Sequence, residues 1–500
     1  MSAPAVADRR VHPGTILLRF LKEAPSTLLA LPAGVAILSK GDLYRALAVA
    51  AAAGVLFLFI NWLVWSRFKY GVGEREIVIE SGVLSRNRRS IPFDRIQDID
   101  IERALLARLF GLAKVRIETG AGGKDEGLLD SVTVAEADRL RAVVRAWREG
   151  AEAPEAAAEG EAVREAPAAR LLFAMDVPRV LLFGLFNFSL FYIASLFAAL
   201  QTFDQWLPFD IYDPGRWIGL VEADRLPQRF TIAAVAAVLL FAILLGVVAG
   251  VLRTISRDYG FRLSAEGDRF RRERGLFTRT EAVIAKKRVQ LAQVRTGPIR
   301  RAFGWMGLSF QTLGGGTDGG GLQTAAPFAK VEELEPILAE TGRFRLAPPP
   351  ELAMVSSRHI VRALAASLVP ALIAITALSM WWRPGLFLLA LLPLLGAAAA
   401  VGRRFHRYAL DGDLLFIAHG VWRQKLWAVP LENIQAMSVG RTWLQRRLGL
   451  ATLSIDTAGA PAMDAARIVD VRHETARDLA AQIAAGRRDQ ASGRKSGTER

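Results

Sequence analysis

The sequence contains no cysteine. That excludes a disulfide framework, a thiolate nucleophile and any cysteine-based metal site. Histidine is scarce: His12, His359, His406, His419 and His473 are scattered, with no HxxxH or HExxH spacing, so no histidine metal motif is written along the chain. Met1 to Arg10 has no apolar h-region, so no cleaved signal peptide is expected. Acidic residues are outnumbered, 49 against 64 Lys and Arg, which leaves a net charge of +15. The cations are dispersed and many flank apolar runs, a pattern of membrane topology rather than of a nucleic-acid-binding face. A hydrophobic content of 52% is too high for an average soluble chain, and 23% charged residues are too many for a chain lying wholly within a membrane. The chain must alternate between the two.

What is there is a repeat. The stretch Gly82–Gly122, GVLSRNRRSIPFDRIQDIDIERALLARLFGLAKVRIETGAG, recurs at an offset of 193 from Gly275 and at an offset of 338 from Gly420. The offsets superpose Gln97, Gln290 and Gln435; Arg108, Arg301 and Arg446; and Gly111, Gly304 and Gly449. Apolar positions keep step between these identities, as in Val115/Leu308/Leu453 and Ile117/Phe310/Ile455. Gapless self-similarity over roughly forty residues marks a repeated structural unit.

Before each copy stands a pair of apolar runs: 27–38 with Ala46–Trp65, Val180–Leu200 with Phe230–Leu252, and Ala363–Trp382 with Pro384–Val401. The first is marginal in length, and the others suit a roughly 30 Å hydrocarbon core. Basic residues close each pair (Arg67 and Lys69; Arg253 and Arg257; Arg403, Arg404 and Arg407) and mark the cytoplasmic side. With an even number of spans before every copy, all copies and both termini fall on that one side. Lys40 and Arg45 in the first turn run against the rule.

Within a copy the pattern is β. EIVIESGVL and AKVRIET alternate apolar and polar residues, RRSIPF and IQDIDIE continue as strands, and ALLARLFG is a short helical or turn-like interruption. An amphipathic helix closes each copy, at Val134–Trp147, Val331–Thr341 and His473–Ala485. Several strands and one helix in about ninety residues predict a small, bent antiparallel sheet or barrel plugged by the helix.

The segments RRSIPFDRIQDIDIERALLARLFGLAKVRIETGAG and VPLENIQAMSVGRTWLQRRLGLATLSIDTAGA resemble the bacterial pleckstrin-homology-like domain of the YdbT-type membrane proteins. That family also alternates helical hairpins with such domains, so the resemblance covers nearly the whole chain. It implies an α+β membrane protein of six transmembrane helices in three hairpins, each followed by a PH-like antiparallel β domain with a C-terminal helix. Copy two departs from the motif, with Ala285 where proline is expected and GWMGLSFQTLGGG in its second half. The resemblance carries shared fold there more than shared ligand.

The expected organisation is residues 1–67, N-terminal segment and hairpin 1; 68–149, first PH-like domain; 150–176, an Ala/Glu/Pro-rich linker; 177–253, hairpin 2; 254–345, second domain; 346–402, hairpin 3; 403–486, third domain; and 487–500, a disordered basic tail. GGGTDGGG at 314–321 lacks the Gly-Lys-Ser/Thr of a nucleotide loop and reads as a hairpin tip.

No catalytic, cofactor or metal constellation emerges. Asp98, Asp100 and Glu102 are expected on a solvated strand face with Ile99 and Ile101 turned inward. Two basic clusters, Arg86, Arg88 and Arg89, and Arg271, Arg272 and Arg274, are candidate contacts to lipid or a partner; a charged strand edge guarded against pairing is the alternative. The repeat-defining Gln97, Gln290 and Gln435, Arg108, Arg301 and Arg446, and Gly111, Gly304 and Gly449 read as structural. Copy two is expected to sit packed between the others. The functional expectation is a non-enzymatic inner-membrane scaffold whose cytoplasmic domains bind lipid headgroups, a protein partner or a second copy, in envelope maintenance or stress tolerance. A transporter or lipid-handling enzyme is the alternative, weakened by the absence of charge within the spans, where Asn61, Asn187 and Ser189 are the notable polar residues.

Overall fold

The computed structural model describes residues 7–19, 43–83, 85–119, 127–148, 169–187, 228–313, 321–346, 352–381, 383–459 and 465–497. Helix α1 (Leu43–Arg67) runs without a linker into β1 (Lys69–Val72), β2 (Glu76–Ser81) and β3 (Asn87–Pro92), an antiparallel meander. A second meander follows, β4 (Ile96–Arg103), β5 (Leu112–Thr119) and β6 (Gly127–Thr133), with the one-turn helix α2 (Leu105–Leu109) between its first strands and α3 (Val134–Arg148) closing the copy. After β7 (Arg170–Ala174), α4 (Val177–Leu185) and α5 (Gln228–Asp258), the same order returns as β8 (Arg262–Glu266), β9 (Arg269–Arg274), β10 (Arg279–Ala285), β11 (Val289–Thr296), α6 (Pro298–Ala302), β12 (Met306–Thr312), β13 (Leu322–Ala329) and α7 (Val331–Ala339). The third round is β14 (Ala353–Met354), α8 (Arg358–Trp381), α9 (Leu392–Arg404), β15 (Arg407–Asp411), β16 (Leu414–His419), β17 (Gln424–Pro430), β18 (Ile434–Gly440), α10 (Trp443–Arg447), β19 (Leu450–Thr457), β20 (Arg467–Arg472) and α11 (His473–Gly497). These are three PH-like antiparallel domains of α+β class.

Local chemistry explains the punctuation. The one-turn helix ends each time on the repeated glycine, at φ of 65°, 70° and 67° for Gly111, Gly304 and Gly449. Its N–H donates to the carbonyl of Arg108, Arg301 or Arg446, at 3.1, 3.0 and 3.3 Å. This is a left-handed helix cap, which a residue with a Cβ adopts only at a cost. The closing helices bury a stripe of spacing i, i+3, i+7: Ala137, Leu140 and Val144 in α3, and Ala476, Leu479 and Ile483 in α11. They pack on β-strand cores that include Ile99, Val115 and Ile117, or Leu453, Ile455 and Ile468. Each such fully buried Ile, Leu or Val contributes about 1.5–3 kcal/mol. Copy two fills its core with aromatic rings: Phe270 stacks on Phe310 at 5.6 Å, and Trp305 on Phe328 at 4.1 Å.

The copies are not separate beads. The sheets run β1-β2-β3, β6-β5-β4-β10-β9-β8-β7, β13-β12-β11-β17-β16-β15-β14 and β18-β19-β20. The second meander of copy one thus continues into the first meander of copy two, and the second of copy two into the first of copy three. At the latter seam β11 lies antiparallel to β17, from Ala292 opposite Ala428 to Thr296 opposite Gln424. Backbone groups that would be open at a sheet edge are satisfied by the neighbouring copy. Side chains reinforce the seams. Arg141 of α3 pairs with Glu281 of β10 and donates to the Ile99 carbonyl at 3.0 Å. Gln311 Nε2 donates to Thr457 Oγ1 at 2.8 Å and to the Ala458 carbonyl at 3.0 Å, and Asn433 Nδ2 to the Gln290 carbonyl at 2.8 Å.

This arrangement corrects one expectation. Asp100 is 5% exposed, as buried as Ile99 and Ile101 at 1%, because β4 is an interior strand of a seven-stranded sheet rather than an edge with one wet face. The Asp98 side chain lies outside the described residues. Two boundaries also move. Residues 170–174, expected in a linker, form the edge strand β7, and α11 continues to Gly497 where a disordered tail was expected. Residues 150–168 of the linker and the glycine-rich tip at 314–320 lie outside the described residues.

By contact the chain divides into one unit of Met1–Phe173, Leu263–Arg272 and Thr280–Arg500, and another of Ala174–Arg262 with Glu273–Arg279. In the latter, α4 crosses α5 where Gly184 meets Val251; a Cβ on Gly184 would lie 2.7 Å from the Val251 Cα. Asn187 Nδ2 donates to Thr254 Oγ1 at 2.9 Å, so this polar residue of the third apolar run ties two helices together. Asn61 Nδ2 likewise donates to the Phe57 carbonyl one turn back, at 3.0 Å. Among the described residues two helices have the length and hydropathy to cross a membrane, Arg358–Met380 and Gly385–Arg404. Helices α1 and α5 are 25 and 31 residues long. Residues 27–38 and 188–200 lie outside the described residues, so the described residues do not carry the count of six spans.

Candidate functional site

The first copy folds its N-terminal segment back onto the base of α1. Arg9 and Tyr70 exchange backbone hydrogen bonds at 3.0 and 2.9 Å, and Trp65 Nε1 donates to the Val11 carbonyl at 3.0 Å. Tyr70 is buried beside Glu136, and burial together with that charge pushes its phenol up to about 12, so it stays protonated. Glu136 also takes Arg9 at 2.8 Å. These bonds fix Arg10, whose guanidinium lies 5.8 Å from the centre of the Trp65 ring. The β2–β3 turn pivots on Gly82, at φ 110°, where a Cβ would fall 1.9 Å from the Ser85 carbonyl oxygen. That turn swings Arg86 and Arg88 toward the end of α1.

The result is a cleft of about 560 Å³ lined by Arg10, Trp62, Leu63, Ser66, Arg67, Lys69, Glu80, Ser81, Gly82, Arg86, Asn87 and Arg88. Five cationic side chains face one carboxylate, Glu80, which lies 3.6 Å from Arg88. Beside it is a second cleft of about 350 Å³ that includes Arg19, Trp65, Arg89 and Asp130, with Arg19 paired to Asp130 at 3.2 Å. A concave, strongly cationic surface with tryptophans at the end of an apolar helix can hold a phosphate-bearing group by charge and by directed N–H donors.

The candidate cations separate into two classes. Arg86, just before β3, and Arg88 and Arg89 on it are exposed and line the clefts. Arg272 is 0% exposed, with Nη1 donating to the Thr324 carbonyl at 3.1 Å, and Arg274 is buried against Asp258 at 3.4 Å. Arg271 lies between Glu266 at 3.3 Å and Glu281 at 2.9 Å. The offset of 193 explains the difference: these three match Val78, Ile79 and Ser81 of the interior strand β2, not the edge strand β3. Arg272 and Arg274 are therefore spent inside the fold. Arg10, Arg67 and Lys69 complete the cleft; in the sequence, Arg67 and Lys69 stood out only as topology markers.

The repeat-defining side chains differ with their surroundings. Gln290 is buried and donates to the Arg288 carbonyl at 3.2 Å, Gln435 is exposed, and the Gln97 side chain lies outside the described residues. Arg301 lies 5.0 Å from the Phe405 ring centre and donates to Gln424 at 3.2 Å, while the Arg108 and Arg446 side chains are exposed.

Three of the scattered histidines come together at the base of α8 and α9. The His406 ring lies 4.8 Å from His359 and 4.2 Å from His419. His359 Nδ1 meets Asp470 at 2.6 Å, and Asp470 also accepts from Arg362 at 2.5 Å and Gln445 at 2.8 Å. Burial alone would raise the Asp470 carboxyl, but these donors outweigh it and hold it below its usual value. Burial, aided by its two histidine neighbours, lowers His406 to about 3, so it is neutral in the native state. Among the described residues no group of His, Asp and Glu is arranged to hold a metal ion.

A family model described as Bacterial PH domain matches residues 17–147, 216–343 and 360–487. The chain belongs to the bacterial PH domain family. Each bacterial PH domain match takes in part of the apolar sequence before its copy as well as both meanders. The chain is similar to UPF0699 transmembrane protein YdbT of Bacillus subtilis (strain 168), 23% identical over 487 residues that cover 94% of this chain and 96% of that protein. It is also similar to UPF0699 transmembrane protein YdbS of the same organism, 36% identical over 78 residues, 16% of this chain and 45% of that protein. No solved structure matches.

Proposed function

We propose that this bacterial PH domain protein is a non-enzymatic scaffold of the bacterial inner membrane whose joined domains hold anionic lipid headgroups at the cytoplasmic face. The observation that carries the reading is the cleft at the end of α1, with five cations against one carboxylate. Its place where an apolar helix passes directly into β1 puts it at headgroup level, given cytoplasmic domains and hairpins in the bilayer. Six spans with both termini inside are part of this reading, supported by the Arg67, Arg253 and Arg403 flanks and by the relatives' description as transmembrane proteins. PH-like domains bind lipids or proteins, and the charge of this cleft favours the lipid. Asn61 and Asn187 are engaged in structural hydrogen bonds, which weighs against a polar transport path.

The test uses the full chain in nanodiscs of zwitterionic lipid doped with phosphatidylglycerol, counting retained anionic lipids by native mass spectrometry. At about 1 kcal/mol per cation, Arg86→Ser with Arg88→Ser should weaken retention by about 30-fold. High salt should weaken it in the wild type as well. Retention unchanged in the double variant at low salt would refute the site.

A further inference from the structure

The two internal seams are built from the same pair of edges. At each, the first strand of a second meander (β4 or β11) meets the last strand of the next copy's first meander (β10 or β17). Among the described residues, three copies leave one edge of each kind over: β3 of copy one and β18 of copy three end their three-stranded sheets. Burial records the difference at matched positions. Val294 and Gln293 of β11 are 7% and 1% exposed, whereas Val439 is 37% exposed and Ser438 is exposed on β18. Ala282 and Trp427 are buried at 0% and 4%, whereas Arg89 of β3 is exposed.

We infer that a second copy of this chain occupies these edges: β18 of one molecule pairs with β3 of the next, repeating the internal seam between molecules. The β11–β17 register, carried over by the repeat offsets, places Met437 opposite Ser90, Ser438 opposite Arg89 and Val439 opposite Arg88. The contact is head-to-tail, because the two edges are unlike, so it builds rings or linear arrays rather than a two-fold dimer. Charge enforces the polarity. Two β3 edges would set arginine against arginine, whereas residues 436–440 of β18 carry no charge. The inference does not depend on the lipid reading.

With no native cysteine, cross-linking is clean. Full-length chains carrying Arg89→Cys are co-expressed in one membrane with chains carrying Ser438→Cys, and Ser90→Cys with Met437→Cys in parallel, then oxidised. Two adjacent pairs are used because only one of them can be the close, non-hydrogen-bonded kind. The inference expects a covalent dimer from at least one mixture and none from any single variant alone. Absence of a dimer in both mixtures overturns it, and so does cross-linking of a single variant with itself, which would mean a two-fold contact.

Discussion

Glu281→Ala should destabilise copy one as well as copy two. The carboxylate of β10 serves Arg141, on the closing helix of copy one, and Arg271 of β9 at 2.9 Å, and its side chain is 14% exposed. Removing one partner of a fully buried pair costs about 3–5 kcal/mol. Here Arg141 keeps the Ile99 carbonyl and Arg271 keeps Glu266, and the site is not fully dry, so about 2 kcal/mol is expected. Hydrogen exchange on the full chain in nanodiscs reads this directly. Where local opening limits exchange, 2 kcal/mol is about 30-fold faster exchange. The loss should appear in β4 and α3 of copy one and in β9 and β10 of copy two. Glu332→Ala, at the start of α7, is the control. If exchange quickens only in copy two, the copies are independent and the fused sheet is wrong.

Gly275→Ala should cost about 1–3 kcal/mol and lower the melting temperature, because φ is 111° and the new Cβ would sit 1.9 Å from the Thr278 carbonyl oxygen. The histidine cluster predicts a pH dependence. Since His406 sits at about 3 in the fold and near 6.5 when unfolded, its contribution is intact above pH 6.5 and is lost as pH falls toward 3. The loss is about 1 kcal/mol at pH 5.5. His406→Phe should flatten denaturation midpoints measured between pH 7.5 and 5; Asp470, held below its ordinary value, gives up its share only in stronger acid.

Much of this fold was legible because a strand's two-residue period and a helix's stripe are local properties. AKVRIET gave β5, with Val115 and Ile117 inward, and the repeated Gly111, Gly304 and Gly449 gave the caps. Lateral partners are not local. IQDIDIE reads as a strand with one wet face until β10 lies alongside it and Asp100 is covered. A trace was present all the same: residues 86–89 hold three cations in copy one, where β3 ends its sheet among the described residues, and the matched Arg279–Ala282 and Gln424–Trp427 hold one each where the strand is paired. Arg272 was misplaced because a run of arginines looks like surface unless it is aligned with Val78 and Ile79 of the interior strand. The cleft needed Arg10 brought to Arg86 by the Arg9–Tyr70 bridge, and the cluster needed His359, His406 and His419 brought together by two helices and a sheet. No spacing along the chain encodes either.

The central claim, that neighbouring copies share one sheet, is tested most directly by cysteine pairs across the β11–β17 seam in the full-length protein in its membrane. Val294 faces Leu426 and Arg295 faces Lys425, and one of these adjacent pairs must be the close kind that a disulfide can span. Val294→Cys with Leu426→Cys, or Arg295→Cys with Lys425→Cys, should oxidise to an internal disulfide seen as a gel shift reversed by reductant. Val294→Cys with Val429→Cys, out of register by three residues, should not. No disulfide in either in-register pair, or equal yield from the out-of-register pair, would contradict the shared sheet.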